Sequence, residues 1–401
     1  MTTAVIITLV LLLLIAYAFD LTASRTRIPS VILLLALGWL VRQVTGYFSV
    51  ALPDLSAILP ILGTIGLILI VLEGSLELEL NRSKLKLIRQ SLLMSLLPLF
   101  TLAFALAGYL HGEWHYPLVD ALHNVIPLCI ISSAIAIPSV RNLDARQKEF
   151  TIYESSLSDI FGVIFFNFVL YNTSFGLATF GRFGLEMAGM LLISLAATIG
   201  LSFLLSRISH PIKFAPIVLL VILIYEVSKV MHLPALLFIL LFGLAIGNLD
   251  ELDRFAWIRR FRPDELNREV HKFKELVIEG TFLIRALFFL LFGYLIQTRE
   301  LLDTSALLWS VSIVTAIFLI RALMLWICRL PVRPLVFVAP RGLITILLFL
   351  SIPAEKSIPF LSRPVIIQVI LLTALIMMVG LMTTNPQTDS RVLEEPDAEL
   401  P

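Results

Sequence analysis

The chain has 401 residues, of which 59% are hydrophobic and 15% charged, with a formal net charge of +1. Soluble domains carry about 25% charged residues, so the composition excludes an ordinary water-soluble core, and the near-neutral charge gives no sign of a nucleic-acid or acidic partner. The apolar residues fall in blocks of roughly 17 to 25, which as helices cross ~30 Å of hydrocarbon at ~1.5 Å per residue, while the short alternating strands of a membrane barrel are absent.

The expectation is an all-α polytopic membrane protein of about 13 transmembrane helices. In chain order the spans are 3–20, 28–43, 57–78, 89–110, 117–138, 150–172, 185–206, 213–229, 232–248, 277–297, 305–328, 334–353 and 364–384. The first block lacks a basic leader and a small-residue cleavage site, so it is expected to remain as a helix. Most connections are short. The exception is 249–276, where seven Lys and Arg residues mix with acids and with Phe255, Trp257 and Phe273. That composition predicts an amphipathic connector at the cytoplasmic membrane surface. The tail 385–401, with Glu394, Glu395, Asp397 and Glu399, is too polar to fold alone.

Orientation follows from the basic residues. If the N-terminus lies outside, 21 of the 30 Lys and Arg fall on the cytoplasmic side and 6 on the other. The positive-inside rule then predicts an external N-terminus and a cytoplasmic C-terminus in a cell membrane. Cys129 and Cys328 sit inside apolar blocks and read as small core residues, and no spaced His, Cys or Asp/Glu cluster suggests an enzyme or a resident cofactor.

Charges inside spans require a reason, because each costs at least about 2.5–3.5 kcal/mol at mid-membrane and such residues usually line an ion path or pair with one another. The candidates among them are Glu73, Glu154, Asp159, Glu226, Glu279, Arg285, Arg321 and Arg341. The sixth span reads Glu154-Ser155-Ser156-Leu157-Ser158-Asp159. Helical spacing puts Ser155 and Asp159 one turn apart on one face, with Ser158 beside them. A carboxylate with hydroxyl oxygens suits a small hard cation, and the same carboxylate can hold a proton instead. The plainer reading is that Asp159 ties helices together through an intramembrane Arg. Glu154, nearer the span end, reads as a salt-bridge partner. Glu226 has Lys229 close by, Arg285 can snorkel or bind an acid, and His123 reads as a core residue.

Two spans carry signs of interruption. The fifth contains Ser132, Ser133 and Pro138, and the twelfth contains Ala339-Pro340-Arg341-Gly342. Paired interrupted helices point to a midplane transport site, because their free ends present carbonyls, amides and dipoles to an ion.

These residues carry a family resemblance. Leu72-Glu73-Gly74-Ser75-Leu76-Glu77-Leu78, Glu154-Ser155-Ser156-Leu157-Ser158-Asp159, Ile320-Arg321-Ala322-Leu323 and Arg341-Gly342-Leu343 resemble, in order, four stretches of the monovalent cation:proton antiporter family, the sodium/proton exchangers. The resemblance runs from the third span to the twelfth. It implies an inverted-repeat fold with two broken crossing helices, in which spans 4–6 and 11–13 form a moving core and the other spans a scaffold and homodimer interface within residues 1–384. It further implies that Asp159 binds cation and proton in turn, that Glu73 and Ser155 add side-chain oxygens, and that Ser158 stands where the family has Asn. Glu154 would pair with Arg321, and Arg341 would sit at the crossing and offset the helix dipoles. Exchange would be electroneutral. Ile131-Ser132-Ser133 stand where the family has Thr-Asp-Pro, so Ser132 and Ser133 take the place of an acid and weaker discrimination between Na⁺ and K⁺ is expected. A potassium-efflux-type transporter or channel and a sodium-coupled organic-anion symporter of similar fold remain as alternatives.

Overall fold

The computed structural model describes residues 2–26, 28–48, 55–78, 82–172, 176–207, 214–231, 233–248 and 263–384. Among these the regular structure is helical, with no strand. The helices are α1 (Thr2–Thr26), α2 (Ser30–Tyr47), α3 (Ile58–Glu77), α4 (Leu85–Trp114), α5 (Leu118–Cys129), α6 (Ser133–Ser139), α7 (Ala145–Tyr171), α8 (Leu177–Arg207), α9 (Phe214–Val230) and α10 (Ala235–Gly247), followed by α11 (Pro263–Leu295), α12 (Thr304–Ile327), α13 (Leu343–Leu350) and α14 (Arg363–Thr383).

Every expected span coincides with a helical segment. Ten segments of the described chain are long and apolar enough to cross a membrane unaided. The other three are α9 with 17 residues, α10 with 13 and the interrupted segment ending in α13. A 13-residue helix covers only about 20 Å, so α10 can complete a crossing only among longer neighbours. The region 249–276 divides. Residues 263–276 run without a break into the tenth span as part of α11, and 249–262, like the tail 385–401, lie outside the described residues.

Local signals set the boundaries. Asp144 caps α7 by accepting from the Gln147 amide at 2.8 Å. Asp303 does the same for α12, accepting from Ser305 and Ala306 at 2.9 and 3.2 Å. α4 stops at His115, whose φ of 59° is left-handed, two residues before Pro117.

Packing sorts the helices into two groups. α4 lies on α5, α7 and α12, and α12 on α14; α2 and α3 lie on α11, α3 on α10, and α10 on α8 and α9. Lipid tails are as apolar as the helices, so association depends on close contact and buried hydrogen bonds rather than on exclusion of water. Both devices occur. A Cβ on Gly38 would fall 2.8 Å from the Tyr294 amide nitrogen, and one on Gly293 would fall 2.9 Å from Leu35 Cα; these reciprocal glycines let α2 and α11 touch backbone to backbone. In the other group, the Ser310 hydroxyl of α12 donates to Gln368 Oε1 of α14 at 2.9 Å, and Gln368 Nε2 donates to the Asp303 carbonyl at 3.0 Å. The two groups meet around the broken spans.

Candidate functional site

The fifth span breaks after Cys129, whose follower Ile130 is extended, and helix resumes at Ser133. The twelfth passes through a short 3-10 turn, Leu335–Phe337, then five non-helical residues, 338–342, before α13 begins at Leu343. The breaks lie against each other. The Ser132 amide donates to the Pro340 carbonyl at 2.9 Å, which pairs two backbone groups that neither helix satisfies internally. A Cβ on Gly342 would fall 2.7 Å from Ser132 Oγ and 2.8 Å from Ile135 Cδ1, so the absence of a side chain there permits this approach.

Arg341 fills the crossing. Its side chain is buried, and it donates from Nε to the Leu128 carbonyl at 2.7 Å, from Nη1 to the Ala339 carbonyl at 2.8 Å and from Nη2 to the Cys129 carbonyl at 3.5 Å. Leu128 and Cys129 supply the last carbonyls of α5, which have no intrahelical partner and carry the negative end of its dipole. The guanidinium satisfies them and supplies the compensating charge.

α7 faces this crossing with its polar run. Asp159 is 1% exposed. Its Oδ2 accepts from the Ser133 amide at 3.2 Å and, at short range, from the Ser133 hydroxyl. The first residue of α6 therefore presents both a free N-terminal amide and a hydroxyl to the carboxylate, a geometry that favours an anion. Asp159 Oδ1 and Ser132 Oγ, both buried, have no hydrogen-bond partner among the described residues. Ser158 Oγ accepts from the Ile131 amide at 3.0 Å and so caps the other orphan donor of the break. Ser155 lies one turn before Asp159, with its hydroxyl donating to the Thr151 carbonyl at 2.7 Å, which leaves its oxygen lone pairs available.

Glu154 points away from this cluster. It receives both terminal nitrogens of Arg321, at 2.8 and 2.9 Å, while Arg321 Nε donates to the Leu335 carbonyl at 2.7 Å. The fork joins α7, α12 and the turn before the twelfth-span break. Glu73, half-buried on α3, lies within electrostatic reach of Arg285 on α11. Arg285 in turn approaches Asp20 of α1 at 3.8 Å. Of the two roles open to Arg285, snorkelling and binding an acid, the structure shows the second, and the identity of the acid depends on helix contacts that no local pattern encodes. Thr345 on α13 and Ser156 on α7 were also passed over. Their hydroxyls are buried without a partner among the described residues, and a hydroxyl in an apolar span was the available signal.

Among the described residues, no group of three His, Cys, Asp or Glu stands close enough to hold a metal ion. A cation at the crossing would meet the Asp159 carboxylate with hydroxyl and carbonyl oxygens, a hard set that suits an alkali ion better than a transition metal.

The fold is that of known antiporters. The sodium proton antiporter MjNhaP1 from Methanocaldococcus jannaschii, in its structure at pH 8, aligns with a TM-score of 0.66 and 17% identity over 95% of this chain and 96% of that one. A second structure of the same antiporter, from an electron-microscopy map, gives 0.64 and 18% over 95% of each chain. A sequence comparison with curated proteins gives no match. The family model described as "Sodium/hydrogen exchanger, transmembrane" matches residues 9–386. A match that runs through both broken spans and the polar face of α7 decides the class: the chain belongs to the transmembrane sodium/hydrogen exchanger family and is a multi-pass cation:proton exchanger.

Proposed function

We propose that the chain exchanges one Na⁺ for one H⁺, with K⁺ or Li⁺ as weaker substrates, and that Asp159 binds cation and proton in turn. The observation that carries this reading is the state of the Asp159 carboxylate. One oxygen accepts from Ser133 at the crossing, and the other is buried with no hydrogen-bond partner among the described residues, as is the Ser132 hydroxyl. Burial disfavours the bare charge, so proton and cation compete to neutralise it. Ser132, Ser133, Ser155 and Ser158 supply the surrounding oxygens, and Glu73 joins the set from α3 in the conformation that admits the ion. Arg341 and the Glu154–Arg321 pair hold the crossing and α7 in register without touching the ion.

Exchange follows if the core, α4–α7 with α12–α14, moves past the remaining helices only when the site is neutralised. The protein works as a homodimer in the cell membrane, the inner one in a two-membrane cell, with its N-terminus outside and C-terminus in the cytoplasm. The distribution of basic residues supports that orientation.

Reconstitution with an internal pH dye tests the core of the proposal. Li⁺, Na⁺ and K⁺ added in turn should each drive proton movement, with Na⁺ strongest, and Asp159→Asn should abolish it while the protein elutes and unfolds like the parent. Full exchange by Asp159→Asn would overturn the assignment. Cation currents without proton counterflow, or transport requiring an organic anion, would overturn the one-for-one exchange.

A further inference from the structure

Two cavities adjoin where α7 ends and α8 begins. The larger, about 570 Å³, is walled by Phe100 and Phe104 of α4, Phe165 and Phe168 of α7, and Phe180 and Phe183 of α8. Its size falls within the roughly 300–1,000 Å³ of small-molecule sites. The smaller, about 240 Å³, shares Ile164, Phe168 and Phe183 with the first and adds Asn167, Tyr171, Asn172, Arg182 and Glu186. α7 and α8 meet at this level through aromatic rings: Phe168 lies 5.4 Å from Phe180 and 4.8 Å from Phe183 between centroids. The outer rings are open to the bilayer, with Phe104 50% and Phe180 56% exposed.

An apolar chamber sharing a wall with a polar one has the polarity of an amphiphile. The polar end narrows the class further. Arg182 and Glu186 stand one helical turn apart, with Arg182 Nε 3.0 Å from Glu186 Oε1, and the guanidinium is largely exposed. A headgroup entering here meets both signs of charge at once. A phosphodiester matches the guanidinium, and a primary ammonium matches the carboxylate and the side-chain carbonyls of Asn167 and Asn172. A headgroup with negative charge alone would have to draw Arg182 off Glu186 and leave that carboxylate unpaired, whereas an ammonium takes the place of the guanidinium on it.

We propose that these joined cavities form a binding site for one zwitterionic glycerophospholipid of the bilayer, with an acyl chain in the phenylalanine-lined chamber and its phosphate and ammonium on Arg182 and Glu186. The site rests on the geometry of α4, α7 and α8 and is independent of the exchange mechanism.

The test offers the full-length protein in detergent equal amounts of phosphatidylethanolamine and phosphatidylglycerol with identical acyl chains, and reads the bound lipids by native mass spectrometry. The ethanolamine lipid should exceed the glycerol lipid by about fivefold, the scale of one interfacial charge contact. Glu186→Gln should reverse the preference, Arg182→Gln should lower the ethanolamine adduct about fivefold, and Met187→Trp, which fills the apolar chamber, should lower both adducts. Because the two lipids compete within one sample, their ratio does not depend on how much protein is folded. Equal binding, a preference of the parent for the glycerol lipid, no retained lipid, or an unchanged ratio in Glu186→Gln would overturn the proposal.

Discussion

Removing the Arg321 guanidinium isolates a carboxylate in the middle of the protein. Glu154 and Arg321 have side chains 1% and 2% exposed, and two hydrogen bonds of 2.8 and 2.9 Å join them. In Arg321→Met the Leu335 carbonyl also loses a donor, but it retains the Val338 amide at 3.1 Å, so the cost falls mainly on Glu154. Breaking a buried pair by deleting one partner costs about 3–5 kcal/mol, whereas replacing both partners by apolar groups ranges from neutral to about 1–4 kcal/mol stabilising. The single variant Arg321→Met should therefore be less stable by about 3–5 kcal/mol, and Glu154→Leu combined with Arg321→Met should recover most of the loss. Thermal unfolding of the purified protein in one detergent, run on the parent, both singles and the double, reads the cycle. A single variant as stable as the parent, or a double less stable than Arg321→Met, would refute the argument that the pair holds because each charge satisfies the other.

Ser133→Ala removes the hydroxyl that donates to Asp159 while keeping the Ser133 amide; a hydrogen bond to a charged group is worth about 1.5–3 kcal/mol, so the apparent cation affinity in proteoliposomes should change by about tenfold or more. Gly342→Ala brings a methyl group against Ser132 Oγ and Ile135, and the dye assay should show exchange lost. Gly38→Val and Gly293→Val should each destabilise by at least about 1–3 kcal/mol through overpacking, seen as a lower unfolding temperature. Asp303 lies outside the spans, and the Ala306 and Ser305 amides it accepts from hold its carboxyl below the usual carboxylate range. Its capping contribution is present at neutral pH and disappears as pH falls through that lowered value, beneath the ordinary ~3.9. Asp303→Ala should be less stable than the parent at neutral pH, with the gap closing in acid; a constant gap would count against the cap.

Much of the architecture was legible in one dimension because the bilayer imposes a one-dimensional rule. A helix must be about 20 apolar residues long to cross unaided, so block length alone locates most spans, and Pro340-Arg341-Gly342 marks an interruption because Pro removes a donor where hydrocarbon offers none. The limits of that rule are equally specific. α10 is too short for it and is completed by its neighbours. The basic, acidic and aromatic mixture of 263–276 reads as a surface segment, yet α11 carries it as the head of a 33-residue helix, since helical hydrogen bonds cross the membrane boundary without interruption.

The sequence by itself determined that the chain is a bundle of thirteen membrane segments, that two of them are broken, and that Asp159 is a charge placed where a charge needs a purpose. Each follows from the energetics of single residues in hydrocarbon. Only the tertiary structure decided the partners. Ser132 meets Pro340 across 208 residues of chain and Arg341 turns to the carbonyls of α5, while the Glu154–Arg321 fork gives geometry to a pairing that the family resemblance already implied. Side-chain spacing along one helix states which residues share a face, but which helix that face meets depends on where close-packing glycines and unsatisfied backbone groups bring the other helices, and those contacts are made only when the chain is folded.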